Sequence, residues 1–320
     1  LKENHILGFD EIEVSQKDAK CQLAEKWLEK TATDSELQVN EDDTQIHIKG
    51  REFAYTIDRR TALFTEMKFA GREYLNHPME LNIWRAPTDN DMYIKAEWKK
   101  AHYDKAYTRA YTTEVVQGKH GVKIVSHASV VAETVQKILD VTITWKIDAS
   151  GKIDADIEAT KDGEFPDLPR FGVRMFLDKK LSDARYFGMG PQESYRDKHQ
   201  AASHGLYRAN VRDLHEDYIR PQENGSHYDC GYVELNNSRY GMAAFSESTF
   251  SFNASYYTQE ELEKKTHNYE LAESDSVVLC VDYALNGIGS NSCGPVVLDQ
   301  YRFNDVLFRF QFTLVPYVKG

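Results

Sequence analysis

The stretch Val141-Thr142-Ile143-Thr144-Trp145-Lys146-Ile147 carries an apolar side chain at every second position, and Ile153-Asp154-Ala155-Asp156-Ile157 continues the alternation after a short break. Successive side chains of a β-strand point to opposite faces, so this period of two buries one face and leaves the other in water. The β-branched and aromatic residues on the apolar face suit a pleated, half-buried surface. The pattern predicts antiparallel strands.

Similar runs recur along the chain, and Gly, Asp and Asn bound them. Helical signals are confined to 18–29, 94–106 and 259–265, the last with Thr258 as its N-cap candidate. Many short strands with few helices predict an all-β fold, a large antiparallel sandwich. The further runs are 44–49, 52–58, 67–72, 122–126, 171–177, 277–283 and 308–314.

Composition and charge exclude several classes of protein. The 320 residues have a formal net charge of −12 without a Lys/Arg-rich cluster, which argues against nucleic acid as a partner. No apolar run is long enough for a transmembrane helix, and no signal peptide is evident. The cysteines, Cys21, Cys230, Cys280 and Cys293, lack CxxC spacing and are interpreted as reduced thiols of a cytoplasmic protein.

The chain divides into three parts by composition. Residues 31–44 are polar and acidic and are expected to be a linker before a main domain at 45–320. Residues 1–30 are too few to fold alone and are interpreted as the remnant of a preceding domain. Because the chain begins at Leu1 inside strand-like sequence, we expect a piece of a longer protein, although simple processing would give the same start.

The densest polar segment is Asn82-Ile83-Trp84-Arg85-Ala86-Pro87-Thr88-Asp89-Asn90-Asp91, in which a strand runs into a proline and three short polar side chains. The oxygens of Asp89, Asn90 and Asp91 are suited to a metal ion or to sugar hydroxyls. The alternative is structural: short polar side chains after a proline cap backbone groups while Arg85 pairs with a carboxylate. The structural alternative is favoured.

Two further segments carry acidic residues next to turns. Glu193 follows a Gly-Met-Gly-Pro turn and lies beside Tyr195 and Arg196. Its carboxylate either binds the edge of a sugar or forms an ion pair that fixes the loop, and the ion pair is favoured. Glu223 precedes an Asn-Gly turn and His227. A retaining glycosidase needs two carboxylates about 5–5.5 Å apart. Among 51 acidic residues, nothing singles out Glu193 and Glu223 as that pair.

The loop Gly287-Ile288-Gly289-Ser290-Asn291-Ser292-Cys293-Gly294-Pro295 consists mainly of small residues. Bare backbone of this kind can approach a ligand or another domain closely. No histidine lies in the loop to activate Cys293, so a structural or contact role is favoured over a nucleophilic one.

Together these segments resemble the carboxy-terminal small-chain domain of family 2 β-galactosidases. The matching stretches are Arg85 to Asp91, Gly188 to Tyr195, Pro221 to Gly225, and Gly287 to Gly289 followed by Ser292 to Pro295, in the order and spacing of that family over about 45 to 320. Residues 1–30 resemble the end of its immunoglobulin-like linking domain.

The resemblance implies a large antiparallel supersandwich, galactose-mutarotase-like, in an enzyme that cleaves terminal β-galactosides such as lactose with retention. Both catalytic glutamates of that family lie on a TIM barrel that this chain lacks, so the resemblance implies no catalytic residue here. It implies an accessory domain that completes the active site, with the barrel and other domains as partners, galactoside at the interface and a homo-oligomeric whole enzyme. Cofactors of the family, Mg and Na ions, belong to other domains, and no metal or cofactor site is expected in this chain.

In the family a loop residue of this domain, often Trp, faces the sugar. Cys293 takes that position and offers no ring, so the substrate-facing residues are expected to be Asn291, Ser292 and Cys293. Another departure is His227, where some relatives carry Arg. The expected structural residues of the matching motifs are Arg85, Asp89, Asn90, Asp91, Glu193 and Glu223.

Two other classes of function stay open. A free-standing mutarotase-like epimerase would use a general acid and base in a β-sandwich cleft. A carbohydrate-binding module would stack sugars on exposed aromatic rings, for which Tyr256-Tyr257 or Trp98 with His102 and Tyr103 are candidates.

Overall fold

The computed structural model describes residues 8–12, 24, 37–134, 137–289 and 291–319. Its strands form a smaller and a larger sheet, and every strand pair in them is antiparallel. Within the described ranges, the smaller sheet has five strands in chain order: β1 (Gln38–Glu41), β2 (Gln45–Lys49), β3 (Phe53–Asp58), β4 (Leu63–Phe69) and β5 (Arg72–Glu73).

The larger sheet has twelve strands in the described part of the chain. They are β6 (Leu75–Asn82), β7 (Tyr107–Gly118), β8 (Gly121–Val131), β9 (Leu139–Asp148), β10 (Ile153–Lys161), β11 (Arg170–Asp178), β12 (Asp183–Gly190), β13 (Ser203–Asn210), β14 (Ser226–Asn236), β15 (Tyr240–Ser255), β16 (Ser276–Leu285) and β17 (Leu307–Val318).

The main path of the larger sheet runs β13-β12-β14-β15-β17-β10-β9-β8-β7, with a branch from β15 through β16 and β11 to β6. The branch arises inside β15. Residues 240–245 of that strand pair with β17, whereas residues 251–255 pair with β16. One long strand thus pairs in two parts of the sheet, as strands do at the corners of β-sandwiches.

The alternating stretch that predicts the fold lies at the centre of the core. Trp145 on β9 stands opposite Ala155 on β10, as antiparallel alternation requires. The buried indole of Trp145 donates to the Ala62 carbonyl oxygen at 2.8 Å and packs edge-to-face on Phe64, with ring centroids 5.0 Å apart. Ala62 lies in the turn between β3 and β4 of the smaller sheet and Phe64 lies on β4, so the Trp145 side chain joins the two sheets.

The predicted all-β, antiparallel fold is confirmed, and the predicted strands appear with boundaries shifted by a few residues. In the described part of the chain, the short α-helices between the strands are α1 (Ile94–Lys100) and α2 (Gln259–Lys264). The Thr258 hydroxyl accepts a hydrogen bond from the Glu261 amide at 3.2 Å, so this residue caps α2 as predicted. The helical signal at 18–29 lies outside the described residues except for Ala24.

The segment 31–44, predicted to be a linker, contains a strand where the structure describes it. Gln38–Glu41 forms β1 and pairs with β2 from Gln38 opposite Lys49 to Glu41 opposite Ile46. The acidic composition suggested a linker, but Asp42 stabilises the turn between β1 and β2. Its carboxylate accepts hydrogen bonds from the amides of Thr44 at 2.7 Å and Gln45 at 2.8 Å. Residues 31–36, and the remnant at 1–30 apart from 8–12 and 24, lie outside the described residues.

Within the described ranges, Cys230 and Cys280 are buried and Cys293 is exposed. Cys21 lies outside those ranges. Within the described ranges, too, no helix has the length and apolar character needed to cross a bilayer.

Candidate functional site

The four sequence motifs meet where the carboxyl ends of β6 and β16 lie side by side in the larger sheet. Strand β6 pairs antiparallel with β11, and β11 pairs antiparallel with β16, so the carboxyl ends of β6 and β16 lie at the same edge. The segments that follow these ends, together with the loops after β12 and before β14, contact one another. We call residues 85–91, 193–198, 221–225, 286–289 and 291–292 the loop cluster.

A buried ion pair forms the centre of the loop cluster. Arg85 is fully buried and donates from Nη2 to Asp91 Oδ1 at 2.8 Å and from Nε to Asp91 Oδ2 at 3.2 Å. The same guanidinium donates to the carbonyl oxygens of Asn286 at 2.5 Å and Gly287 at 3.2 Å. Asp91 also accepts from the Thr88 amide at 2.9 Å. Arg85 therefore ties the loop after β16 to the loop after β6.

The two polar residues before Asp91 join the motif to the other loops. Asn90 donates to the Ile288 carbonyl oxygen at 2.9 Å. The Asp89 amide donates to the Gln222 side-chain oxygen at 3.0 Å. These contacts support the structural role of Asp89, Asn90 and Asp91, in which the three residues hold the loops together. Within the described ranges, no group of three or more His, Cys, Asp or Glu side chains is placed to hold a metal ion.

A second buried guanidinium supports the loop before β14. Arg170 donates from Nη2 to Asp282 Oδ2 at 2.5 Å and from Nη1 to Glu223 Oε2 at 3.3 Å. Burial raises the pKa of Glu223, while Arg170 and Arg85 oppose that rise. The other oxygen of Glu223, Oε1, is buried without a hydrogen-bond partner among the described residues. Glu223 is a buried anchor, inaccessible to a sugar.

Glu193 holds the turn at the end of the same loop. One of its oxygens accepts from Lys198 and from the Tyr218 hydroxyl, and the other accepts from the Gly225 amide at 2.8 Å. Gly225 has φ +70°, and a Cβ there would collide with the Leu214 carbonyl oxygen, so the turn requires glycine. The contacts support the ion-pair interpretation of Glu193.

Asp197 is a contact residue that sequence reasoning did not single out. Its carboxylate accepts from the Ile288 amide at 3.0 Å. It also lies so close to the flanking glycines that a Cβ on Gly287 or Gly289 would stand 2.8 or 2.7 Å from Asp197 Oδ2. Arg170 and Asp282 were missed as well. No local pattern identifies such partners, because each contact joins segments about a hundred residues apart in the chain.

The expected substrate-facing residues lie on the outer side of the loop cluster. Asn291 and Ser292 are half-buried and Cys293 is exposed. The Ser292 hydroxyl donates to the Asn90 side-chain oxygen at 3.2 Å, which attaches the loop to the 85–91 motif. The structure places these three side chains at the surface; their contact with substrate stays a prediction.

His227 is buried close to the loop cluster. Its Nδ1 donates to the Met189 carbonyl oxygen at 3.2 Å, and its ring packs against Tyr186 and Phe252, with centroids 4.4 and 5.0 Å away. Burial lowers the pKa of His227 to about 4. The imidazole is therefore neutral near pH 7, where it packs as an aromatic ring.

The aromatic candidates for a sugar platform are mostly buried. Trp98 is 0% exposed, Tyr103 1% and Tyr256 8%. The Trp98 indole donates to the Asp167 carbonyl oxygen at 2.8 Å, and the Tyr103 hydroxyl donates to the Pro166 carbonyl oxygen at 2.7 Å. These rings are core residues, so they do not form the exposed platform that a carbohydrate-binding module would need.

Comparison with known proteins adds to this geometry. The family model described as beta galactosidase small chain matches residues 49–314. A β-galactosidase of Actinobacillus pleuropneumoniae is 42% identical over 315 residues, covering 98% of this chain and 30% of the relative. A β-galactosidase of Staphylococcus xylosus is 33% identical over 313 residues, covering 98% and 31%. The chain thus spans about 30% of the length of these curated relatives.

Among solved structures, a galactose 1-epimerase from Lactobacillus acidophilus NCFM superposes with a TM-score of 0.47 at 9% identity, over 89% of this chain and 99% of that one. A putative mutarotase from Salmonella typhimurium superposes with a TM-score of 0.42 at 8% identity, over 89% and 94%.

Proposed function

The chain belongs to the β-galactosidase small-chain family, and from this premise we propose that it is the accessory domain of a β-galactosidase, completing an active site whose catalytic carboxylates lie elsewhere in the enzyme. The whole enzyme would hydrolyse terminal β-D-galactosides, lactose among them, with retention of configuration. Any metal ion that it uses would be bound outside this chain.

The observation that carries the proposal is the convergence of the four motifs on one surface. Arg85 and Arg170 hold the loop cluster from inside through buried ion pairs, while Asn291 and Ser292 remain half-buried at its rim. A loop held by a rigid support suits the positioning of a ligand-contacting side chain. The buried carboxylates Glu193 and Glu223 are already bound by other groups, which supports a non-catalytic role for the chain.

The surface next to the loop cluster supports docking of further domains. Several large apolar side chains within a few residues of the loop cluster in sequence are exposed, and exposed apolar surface marks interaction sites when it is contiguous. A neighbouring domain of the same enzyme would bury them, as in other interfaces within a chain. They are Met92 (44% exposed), Tyr93 (59%), Ile219 (95%), Val296 (68%) and Leu298 (63%).

A chimera tests the proposal. The segment of the Actinobacillus pleuropneumoniae β-galactosidase that matches this chain is replaced by the chain itself, and hydrolysis of o-nitrophenyl-β-galactoside is measured. We expect activity from the chimera and none from the isolated chain or from the relative truncated before the matching segment. Hydrolysis by the isolated chain that persists through repurification would overturn the proposal, as would a folded chimera no more active than the truncated relative.

A loop variant of the chimera tests the substrate-facing residues. Asn291→Ala is expected to lower kcat/KM for the galactoside, on the order of ten-fold if one hydrogen bond to the substrate is lost. The matched control is Lys119→Ala in the turn between β7 and β8, outside the loop cluster, and it should keep the activity of the chimera. Equal activity of both variants would remove Asn291 from the site.

A further inference from the structure

The segment 8–12 contacts the outer edge of the larger sheet through one glutamate. In the described part of the chain, β13 ends the main path of this sheet, so its outer backbone groups pair with no further strand there. The Glu11 carboxylate binds at this edge: Oε1 accepts from the His204 amide at 2.9 Å, and Oε2 lies 2.9 Å from His204 Nδ1. One carboxylate therefore contacts both the backbone and the ring of the same edge residue.

A second carboxylate approaches the other side of the His204 ring. Asp229 Oδ2 lies 2.7 Å from His204 Nε2. Asp229 belongs to β14, where the register with β15 shifts between His227 and Cys230, and its φ is +51°. Aspartate adopts this left-handed conformation more readily than most residues with a side chain do. From this irregular position in β14, the Asp229 carboxylate reaches a side chain of β13.

The two contacts require a positively charged histidine. A neutral imidazole has one N–H and one lone pair, so one of the two carboxylates would face a lone pair, whereas the imidazolium donates from both nitrogens. Burial opposes protonation, but the hydrogen bonds to Glu11 and Asp229 outweigh it and raise the pKa of His204 above its ordinary value. The His204 side chain is 33% exposed, so water can exchange the proton.

The other elements packed around this histidine add little charge to it. β12 presents Met189 opposite it. On the segment 8–12, Asp10 accepts from the amide of the next residue at 2.9 Å. On β14, burial raises the pKa of Tyr228, which therefore stays neutral near pH 7. On β13 itself, Arg208 is four residues along the same exposed face. The charge of the imidazolium is balanced mainly by the two carboxylates that contact it.

We propose that His204 is a proton-controlled latch that holds the segment 8–12 on β13. When the ring is protonated, it binds Glu11 and Asp229 at once, and the segment is docked. When the ring gives up one proton to water, one carboxylate faces a lone pair, and the two carboxylates repel each other without a positive charge between them. The segment then detaches. The latch is independent of the proposed function, because Glu11, His204 and Asp229 lie outside the loop cluster.

The pH dependence of docking in the 320-residue chain tests the proposal. The reporter is the protection of the amide at position 204 against hydrogen exchange, measured by NMR and corrected for the intrinsic effect of pH. A raised pKa stabilises the docked state at low pH, and this stabilisation is lost as the pH rises through that pKa. We expect protection to fall about five-fold from pH 6 to pH 9, with the midpoint of the ring titration. His204→Gln should abolish the fall.

Variants of the carboxylates separate the latch from a general effect of pH. Glu11→Gln and Asp229→Asn each remove one charge and keep the side-chain shape, and asparagine tolerates the left-handed backbone at 229. Each should lower the midpoint of the His204 titration and reduce the fall in protection. His127→Gln, at an exposed position of β8, should behave as the wild type does. The proposal is overturned if protection in the wild type is equal at pH 6 and pH 9, if His204→Gln keeps the fall, or if the ring titrates at the same pH in Glu11→Gln.

Discussion

The Ser292 hydroxyl donates a hydrogen bond to the Asn90 side-chain oxygen at 3.2 Å, across 202 residues of sequence. Asn90 in turn donates to the Ile288 carbonyl oxygen at 2.9 Å. One asparagine therefore binds both Ile288 and Ser292, and the position of the proposed substrate-facing residues Asn291 and Ser292 depends on it.

Asn90→Ala should loosen this loop without unfolding the domain. Both side-chain hydrogen bonds are lost, and because they lie at a half-buried site we expect a stability loss of about 1 kcal/mol in urea unfolding. Limited proteolysis should cut faster within 288–293 than in the wild type. The matched control is Asn76→Ala, which removes an exposed bond to the Asp275 carbonyl oxygen and a part-buried bond to the Ser276 hydroxyl. Unchanged cleavage of the Asn90 variant would contradict the anchoring role.

Asp91→Asn should be far more costly. It leaves the fully buried Arg85 guanidinium without its counter-charge, and breaking a buried pair in this way costs about 3–5 kcal/mol. Asp156→Asn, which removes one of the two carboxylate partners of the half-exposed Arg309, is the comparison and should change the urea midpoint little. Similar midpoints for the two variants would show that the Arg85 pair does not hold the loop cluster together.

His227 should make the protein less stable in acid. The unfolded imidazole takes up a proton near its ordinary pKa of 6.5, whereas the folded ring stays neutral until its pKa of about 4. Unfolding therefore binds a proton between these values, and stability present above pH 6.5 falls as the pH decreases, by up to about 3 kcal/mol.

The measurement is the free energy of urea unfolding from pH 7 to pH 4. His227→Gln should flatten the slope relative to wild type. A wild-type slope in His227→Gln would mean that another group controls acid stability.

Gly289→Ala should be destabilising because of one neighbour. The new Cβ would stand 2.7 Å from Asp197 Oδ2, and the next nearest atom, on Val297, is 3.8 Å away. We expect a loss of about 1–2 kcal/mol from overpacking. In the Asp197→Ala background the clash is absent, so the same change should cost less, and a double-mutant cycle in urea measures the difference. Additive effects would contradict the close approach.

Local pattern was sufficient to predict the strands and the cap of α2. Trp145 and Ile157 fall on the buried face because strand side chains alternate, and Thr258 caps because its hydroxyl reaches an amide three residues on. The same reasoning failed at Gln38–Glu41, where polar composition concealed an edge strand whose register depends on the Asp42 turn. Edge strands need little apolar sequence, so composition is a weak guide to them.

The sequence by itself determined the antiparallel all-β architecture and the four motifs, because alternation and turn residues act over a few positions. It also favoured structural roles for Arg85 and Glu193, which the contacts support. Only the tertiary structure decided that the motifs share one surface, that Arg170 pairs with Asp282 and Glu223, and that Asp197 meets Gly289. These contacts form because the pairing of β6, β11 and β16 brings the ends of the strands together. The residues in contact are far apart in the chain, so no periodic pattern in the sequence predicts them.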